Sequence, residues 1–181
     1  MGDFNKAHAF VARMEGGFVD HPADPGGTTN YGVSLRFLKA QGLDVGDIDG
    51  DGDIDADDIR ALTPERAAGV LRRSFWDVFP LDAVPDPLAL AVYDTAVNMG
   101  VGQAKRLTQK ALSVEADGRW GPRTWEAVKN CSAPHIVAIF LVRARRARYA
   151  ALIRNNPALG KFSRGWENRM KALEKEIRSA S

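Results

Sequence analysis

One cysteine, Cys131, is all the chain has among 181 residues, so an internal disulfide is excluded and the fold does not depend on an oxidising compartment. It sits in KNCSAPHIV with no His or Asp partner in view, and reads as packing rather than a nucleophile. Long apolar runs are missing too. The longest, Ile136–Val142, falls far short of the roughly 20 residues a bilayer span requires, so no membrane span is expected. The opening MGDFNKAHAFVARMEGG lacks the charged-then-apolar order of a signal peptide. Alternation of apolar and polar residues is scarce, which leaves room for no more than a small hairpin, Phe18-Val19 with Tyr31–Val33.

What is present describes a globular, mainly helical protein. Apolar residues at 45% and charged residues at 27% argue against wholesale disorder. Phe4, Ala7, Val11 and Met14 share one helical face, and Gly16-Gly17 ends that helix. Ser34 caps a second helix through Leu43. Thr63-Pro64 and Asp86-Pro87 each place Pro at a first helical position. Further helices follow over 100–112, 122–130, 133–155 and 161–179.

Charge is unevenly spread. Residues 101–181 hold 17 Lys and Arg against 6 Asp and Glu, whereas Asp44–Asp58 holds eight Asp and no base. The basic half suits solvated helix faces or an anionic cell envelope, and it carries no nucleic-acid-binding motif.

The acidic segment DIDGDGDIDADD, Asp47–Asp58, follows the twelve-residue EF-hand loop. Asp47, Asp49 and Asp51 fill positions 1, 3 and 5, and Gly52 the sharp turn at 6. Asp53 offers its carbonyl at 7, Ile54 is the apolar residue at 8, Asp55 acts through water at 9, and Asp58 stands at 12 in place of the usual Glu. Crowded carboxylates repel by about 1 kcal/mol per close pair even in water, a penalty that a bound dication removes. Calcium is expected over magnesium because the ligands are many and all oxygen.

Glu15 ends the first helix, where aligned peptide dipoles present partial negative charge and favour a neutral carboxylic acid over a carboxylate. Such an acid can protonate a glycosidic oxygen. Asp24 lies nine residues on, across a glycine-rich loop that could bring it opposite Glu15, and paired carboxyls with water between them form the apparatus of an inverting glycosidase. An alternative for Asp24 is a turn cap.

Four motifs carry a family resemblance. EGGFVDHPADPGGTTNYGVS, YDTAVNMGVGQA, ADGRWGPRTWEAV and FSRGWENRM together resemble glycoside hydrolase family 108, phage-type N-acetylmuramidases that cut peptidoglycan. The resemblance implies a lysozyme-like helical fold, endolysin activity and Glu15 as catalytic acid. It divides the chain into a catalytic region over 1–100 and a peptidoglycan-binding region over 101–181, packed as one lysozyme-like domain. The Glu15–Asp24 spacing is also similar to that of phage lysozymes, with Thr29 as the water-positioning candidate and Thr28 or Asn30 as alternatives. Tyr31, Asn98 and Trp120 are the candidates for sugar contact; for Asp94, a buried hydrogen-bonding role is favoured. The partner expected is the peptidoglycan glycan strand, met by a monomer that a holin or secretion apparatus releases from the host cytoplasm. Two rivals are a lytic transglycosylase using Glu15 alone and a non-catalytic, calcium-dependent wall-binding module.

Overall fold

The computed structural model describes residues 1–15 and 28–179. Among these the chain is mainly helical with one two-stranded hairpin, in agreement with the expected lysozyme-like fold class. Contacts divide it into two units, one of Met1–Ala7 with Phe75–Ser181 and the other His8–Ser74.

In the unit His8–Ser74, helix α1 (Phe4–Glu15) buries Phe10 and Val11, and Val33, Leu38, Ile59, Leu62 and Val70 are buried in the same unit. Strands β1 (Thr29–Asn30) and β2 (Val33–Ser34) pair antiparallel with Thr29 opposite Ser34. Tyr31 and Gly32 make the turn between them, both at positive φ (49° and 80°), the geometry that matches the natural strand twist. Tyr31 therefore stands at the tip instead of in the strand expected from sequence. Its proposed partner, Phe18-Val19, lies outside the described residues. Helix α2 (Leu35–Gln41) starts on Ser34, whose hydroxyl accepts from the Phe37 N–H at 3.2 Å. Gly42 at φ 78° stops it before Leu43, where a single-turn α3 (Leu43–Gly46) begins. After the acidic loop come α4 (Ala56–Ala61) and α5 (Pro64–Leu71), the latter capped by the Thr63 hydroxyl with Pro64 in the first turn.

The unit containing Phe75–Ser181 is built around α6 (Asp86–Met99), whose residues Leu88–Ala96 are all buried. A helix apolar on every side needs neighbours all round. Those neighbours are α7 (Val101–Ala111), α9 (Pro134–Asn155) and α10 (Ser163–Ser179), with α8 (Pro122–Lys129) between α7 and α9 in sequence. Phe4, Trp76 and Tyr93 meet edge to face at 5.4–5.7 Å, an arrangement that aligns ring edges with ring faces.

Candidate active site and acidic loop

Glu15 is the last residue of α1 and is half-buried. The hairpin turn packs directly on it: a Cβ added to Gly32 would lie 3.1 Å from Glu15 Cγ and 3.9 Å from Leu71 Cδ1. Glycine at 32 thus meets two demands, a positive φ and a close approach to the glutamate. Tyr31, the other residue of this turn, is 38% exposed. Thr29 is half-buried on β1, while Thr28 is buried and its carbonyl accepts from the Leu35 N–H at 3.0 Å. Asn30 is buried, and its side-chain amide donates to the Ile59 carbonyl at 3.1 Å. That bond fastens the hairpin to α4. Asp24 lies outside the described residues.

The acidic loop adopts the turns that its glycines permit, with Gly50 at φ 85° and Gly52 at φ 96°. One Asp47 oxygen accepts from the Gly50 N–H at 2.7 Å and the other from Gly52 at 3.0 Å. Asp51 accepts from the Asp53 N–H at 3.0 Å. Ile54 packs on Gly46, where an added Cβ would meet its Cδ1 at 2.5 Å, so the apolar position of the loop anchors it to α3. Carboxylate oxygens of Asp47, Asp49 and Asp58 lie within 4.8 Å of one another, and a second group joins Asp53, Asp55 and Asp58. Asp51 belongs to neither group, and Asp53 enters by its carboxylate as well as by position. These residues could hold a hard dication: the donors are all oxygen, they converge, and Asp58 is only 1% exposed.

Crowding has an electrostatic cost. Asp53 is pushed above the usual carboxylate range first by the charge of Asp51 and then by desolvation. Asp49 is pushed up by desolvation and by Asp51, Asp58 and Asp47, against a backbone hydrogen bond that pulls it down.

Sequence reasoning missed a structural duty here. Asp55 caps α4 by accepting from the Asp57 N–H at 2.6 Å, and Asp58 returns the favour on the Asp55 N–H at 2.7 Å, a capping box. The signal was present as D-x-x-D ahead of a helix, with Asp where Glu is usual.

The remaining candidates belong to the other unit. Asp94 is fully buried. It pairs with Arg145 of α9 through one oxygen, and its other oxygen lies 2.7–2.9 Å from Arg169 of α10. Burial alone would raise this carboxyl, but the two guanidinium groups outweigh it and hold it below its ordinary value. The network continues outward: Arg145 Nε donates to the Tyr149 hydroxyl at 3.2 Å, and that hydroxyl donates to the Asn98 side-chain oxygen. Tyr149 stacks on Trp166 with ring centroids 4.3 Å apart. Asn98 is half-buried and tied inward by its carbonyl oxygen. Trp120 is half-buried, edge-on to Phe79 at 5.0 Å and to Trp125 at 6.0 Å.

Two family models match the chain: "Glycosyl hydrolase 108" over residues 8–100 and "Predicted Peptidoglycan domain" over residues 103–171. Among solved structures, one described as SagA of Brucella abortus is 30% identical, with a TM-score of 0.78 over 97% of this chain and 94% of that one. A comparison with curated proteins gave no match.

Proposed function

The chain belongs to the glycosyl hydrolase 108 family, a glycoside hydrolase family here joined to a peptidoglycan domain, and from that membership we propose that it is an endolysin-type muramidase. The bond it cuts is the β-1,4 link between N-acetylmuramic acid and N-acetylglucosamine. Glu15 is the general acid. Its proton passes to the glycosidic oxygen as the bond to the anomeric carbon breaks, and a water molecule adds to that carbon. Asp24 takes the proton of that water, and Thr29 helps to hold the water in place. Tyr31, on the exposed turn beside Glu15, offers a ring against which a sugar can rest.

The observation that carries this reading is the packing of Gly32 against Glu15, so close that a Cβ added to the glycine would lie 3.1 Å from Glu15 Cγ. A general acid works only from a fixed position, and here a glycine turn confines it from one side. Calcium is the proposed ion of the acidic loop, held by Asp47, Asp49, Asp51 and Asp58 with the carbonyl of Asp53. Its chemistry is neutralisation of the clustered carboxylates, so its role is structural. Because Asn30 bonds to the Ile59 carbonyl one residue beyond Asp58, ordering of the loop reaches the hairpin and through it the wall beside Glu15.

The test is Glu15→Gln, an isosteric change that removes the transferable proton. Clearing of cell-wall suspensions is expected to fall by about 10²-fold or more. Clearing equal to the parent's would exclude Glu15 as the acid. Mass spectrometry of the parent's products reads the reaction type: water-added reducing ends support hydrolysis, while anhydro-sugar ends would replace it with a transglycosylase.

A further inference from the structure

Two of the five arginines of α9 are already held in ion pairs. Arg145 is bound to Asp94, and Arg146 to Glu167 at 3.1 Å and Glu174 at 2.6 Å. Arg148 is exposed and no described carboxylate pairs with it. It faces a groove of about 430 Å³ between α7 and α9, lined by Gln103, Arg106, Leu107 and Lys110 from α7 and by three alanines and Arg148 from α9. Three cations surround this groove and no acidic side chain lines it.

One of the cations is held in place. Arg106 donates through Nη1 to the Ala116 carbonyl at 3.3 Å, and its guanidinium lies under Gly118, where an added Cβ would come 2.9 Å from Nη1. Gly118 sits at φ 80°, so both its backbone and its missing side chain make room for the arginine. The loop over Arg106 is itself pinned by buried Gln109. Its amide donates to Asp117 at 2.7 Å and to the Arg119 carbonyl at 2.8 Å, and its oxygen accepts from the Gly118 N–H at 2.9 Å. Much of the entropy cost of fixing an arginine on a ligand has therefore been met in the free protein.

We propose that this groove binds the carboxylate-bearing stem peptides of peptidoglycan, with Arg106 as the fixed contact and Lys110 and Arg148 flanking it. The proposal rests on the peptidoglycan reading above and adds where the peptide part of the polymer sits. All eight lining residues fall within 103–171, the stretch matched to the peptidoglycan domain. The fixed negative charges of peptidoglycan lie on its stem peptides, since the amino sugars are uncharged. The lining runs from Gln103 to Lys110 on α7 and from Ala144 to Ala151 on α9, about 10 Å along each helix axis, the reach of about three extended residues. Alanine side chains along the α9 wall leave space for a backbone carrying small side chains, as alanine-rich stems do. An arginine presents a planar fork that matches a carboxylate.

Co-sedimentation in the cold, where binding does not depend on bond cleavage, separates the possibilities. The parent and the triple variant Arg106→Gln/Lys110→Gln/Arg148→Gln are compared on intact sacculi, on sacculi stripped of stems by an amidase, and on vesicles of anionic phospholipid. The variant is expected to bind intact sacculi about tenfold more weakly, with parent and variant equally weak on stripped glycan. Added salt should erode the parent's advantage. Equal binding of parent and variant to intact sacculi overturns the proposal, as does parent binding that survives loss of the stems. Loss confined to vesicles would assign the groove to a lipid surface and overturn it too. Circular dichroism checks that the variant is folded, and the single Arg148→Gln, at an exposed site, provides the same comparison if the triple is not. The catalytic reading fails separately, by undiminished clearing from Glu15→Gln.

Discussion

Asp53 and Asp94 are the same side chain in opposite settings. Asp53 is exposed in a loop of seven aspartates, and its neighbours push its carboxyl up. Asp94 is sealed inside a helical core, where burial opposes ionisation, yet two arginines hold its carboxyl down. The contrast shows that burial and charge state are separate questions. Water alone does not relieve crowding among like charges, and a dry interior accepts a carboxylate when its partners are fixed on both sides. The stretch Asp47–Asp58 contains no base of its own, whereas the core sets two arginines on its carboxylate.

The largest break in this comparison comes from Asp94→Asn. It leaves two arginines facing a neutral amide in the interior and should cost about 3–5 kcal/mol at neutral pH, read by urea unfolding. The sign of the pH effect follows from a folded-state value held below the ordinary one. The stabilisation is complete above the usual carboxylate range and is lost as pH falls through the folded-state value. The parent should therefore show an acid limb that the variant lacks. A variant that unfolds with the parent's midpoint and the parent's acid limb would deny the triad its role.

Calcium sharpens the other side. At a concentration 100 times its dissociation constant, the ion should add about 2.7 kcal/mol to stability and raise the melting temperature, and chelator should reverse the shift. Asp47→Asn/Asp49→Asn should abolish the response. A melting curve indifferent to both calcium and chelator would remove the metal site. The smallest effect belongs to the cap. Asp55→Ala, measured in chelator so that metal plays no part, should cost about 1 kcal/mol through loss of the α4 capping box. A cost seen only with calcium present would make Asp55 a ligand rather than a cap.

Local chemistry was legible in the sequence and distant pairing was not. Ser34, Thr63-Pro64 and Asp86-Pro87 mark helix starts because a cap or a proline acts within one turn, and the structure begins α2, α5 and α6 there. Gly42, which ends α2, carries no such mark, since one glycine inside an apolar pattern does not announce a positive φ. Tyr31-Gly32 resembles strand by side-chain pattern, but its turn is fixed by backbone conformation rather than by alternation. In the acidic loop, the sharp turn expected at Gly52 is seen as a positive φ, and apolar Ile54 packs on Gly46. Arg145 and Arg169 could not have been assigned to Asp94, being 51 and 75 residues away on helices with many other arginines. Nor could the tie from Asn30 to Ile59, a side chain meeting a backbone carbonyl 29 residues on.

The Asp94 triad also bears on how the molecule can be divided. The stretch matched as a peptidoglycan domain, 103–171, includes Arg145 and Arg169 but not the carboxylate between them, and it stops short of buried Leu173 and Ile177. Excised at those limits, it would bring two guanidinium groups into its interior without a counterion, around a vacancy left by α6. What the sequence match outlines as a module is, in its packing, half of a shared interior, so grafting it onto another enzyme requires carrying α6 and the whole of α10 along.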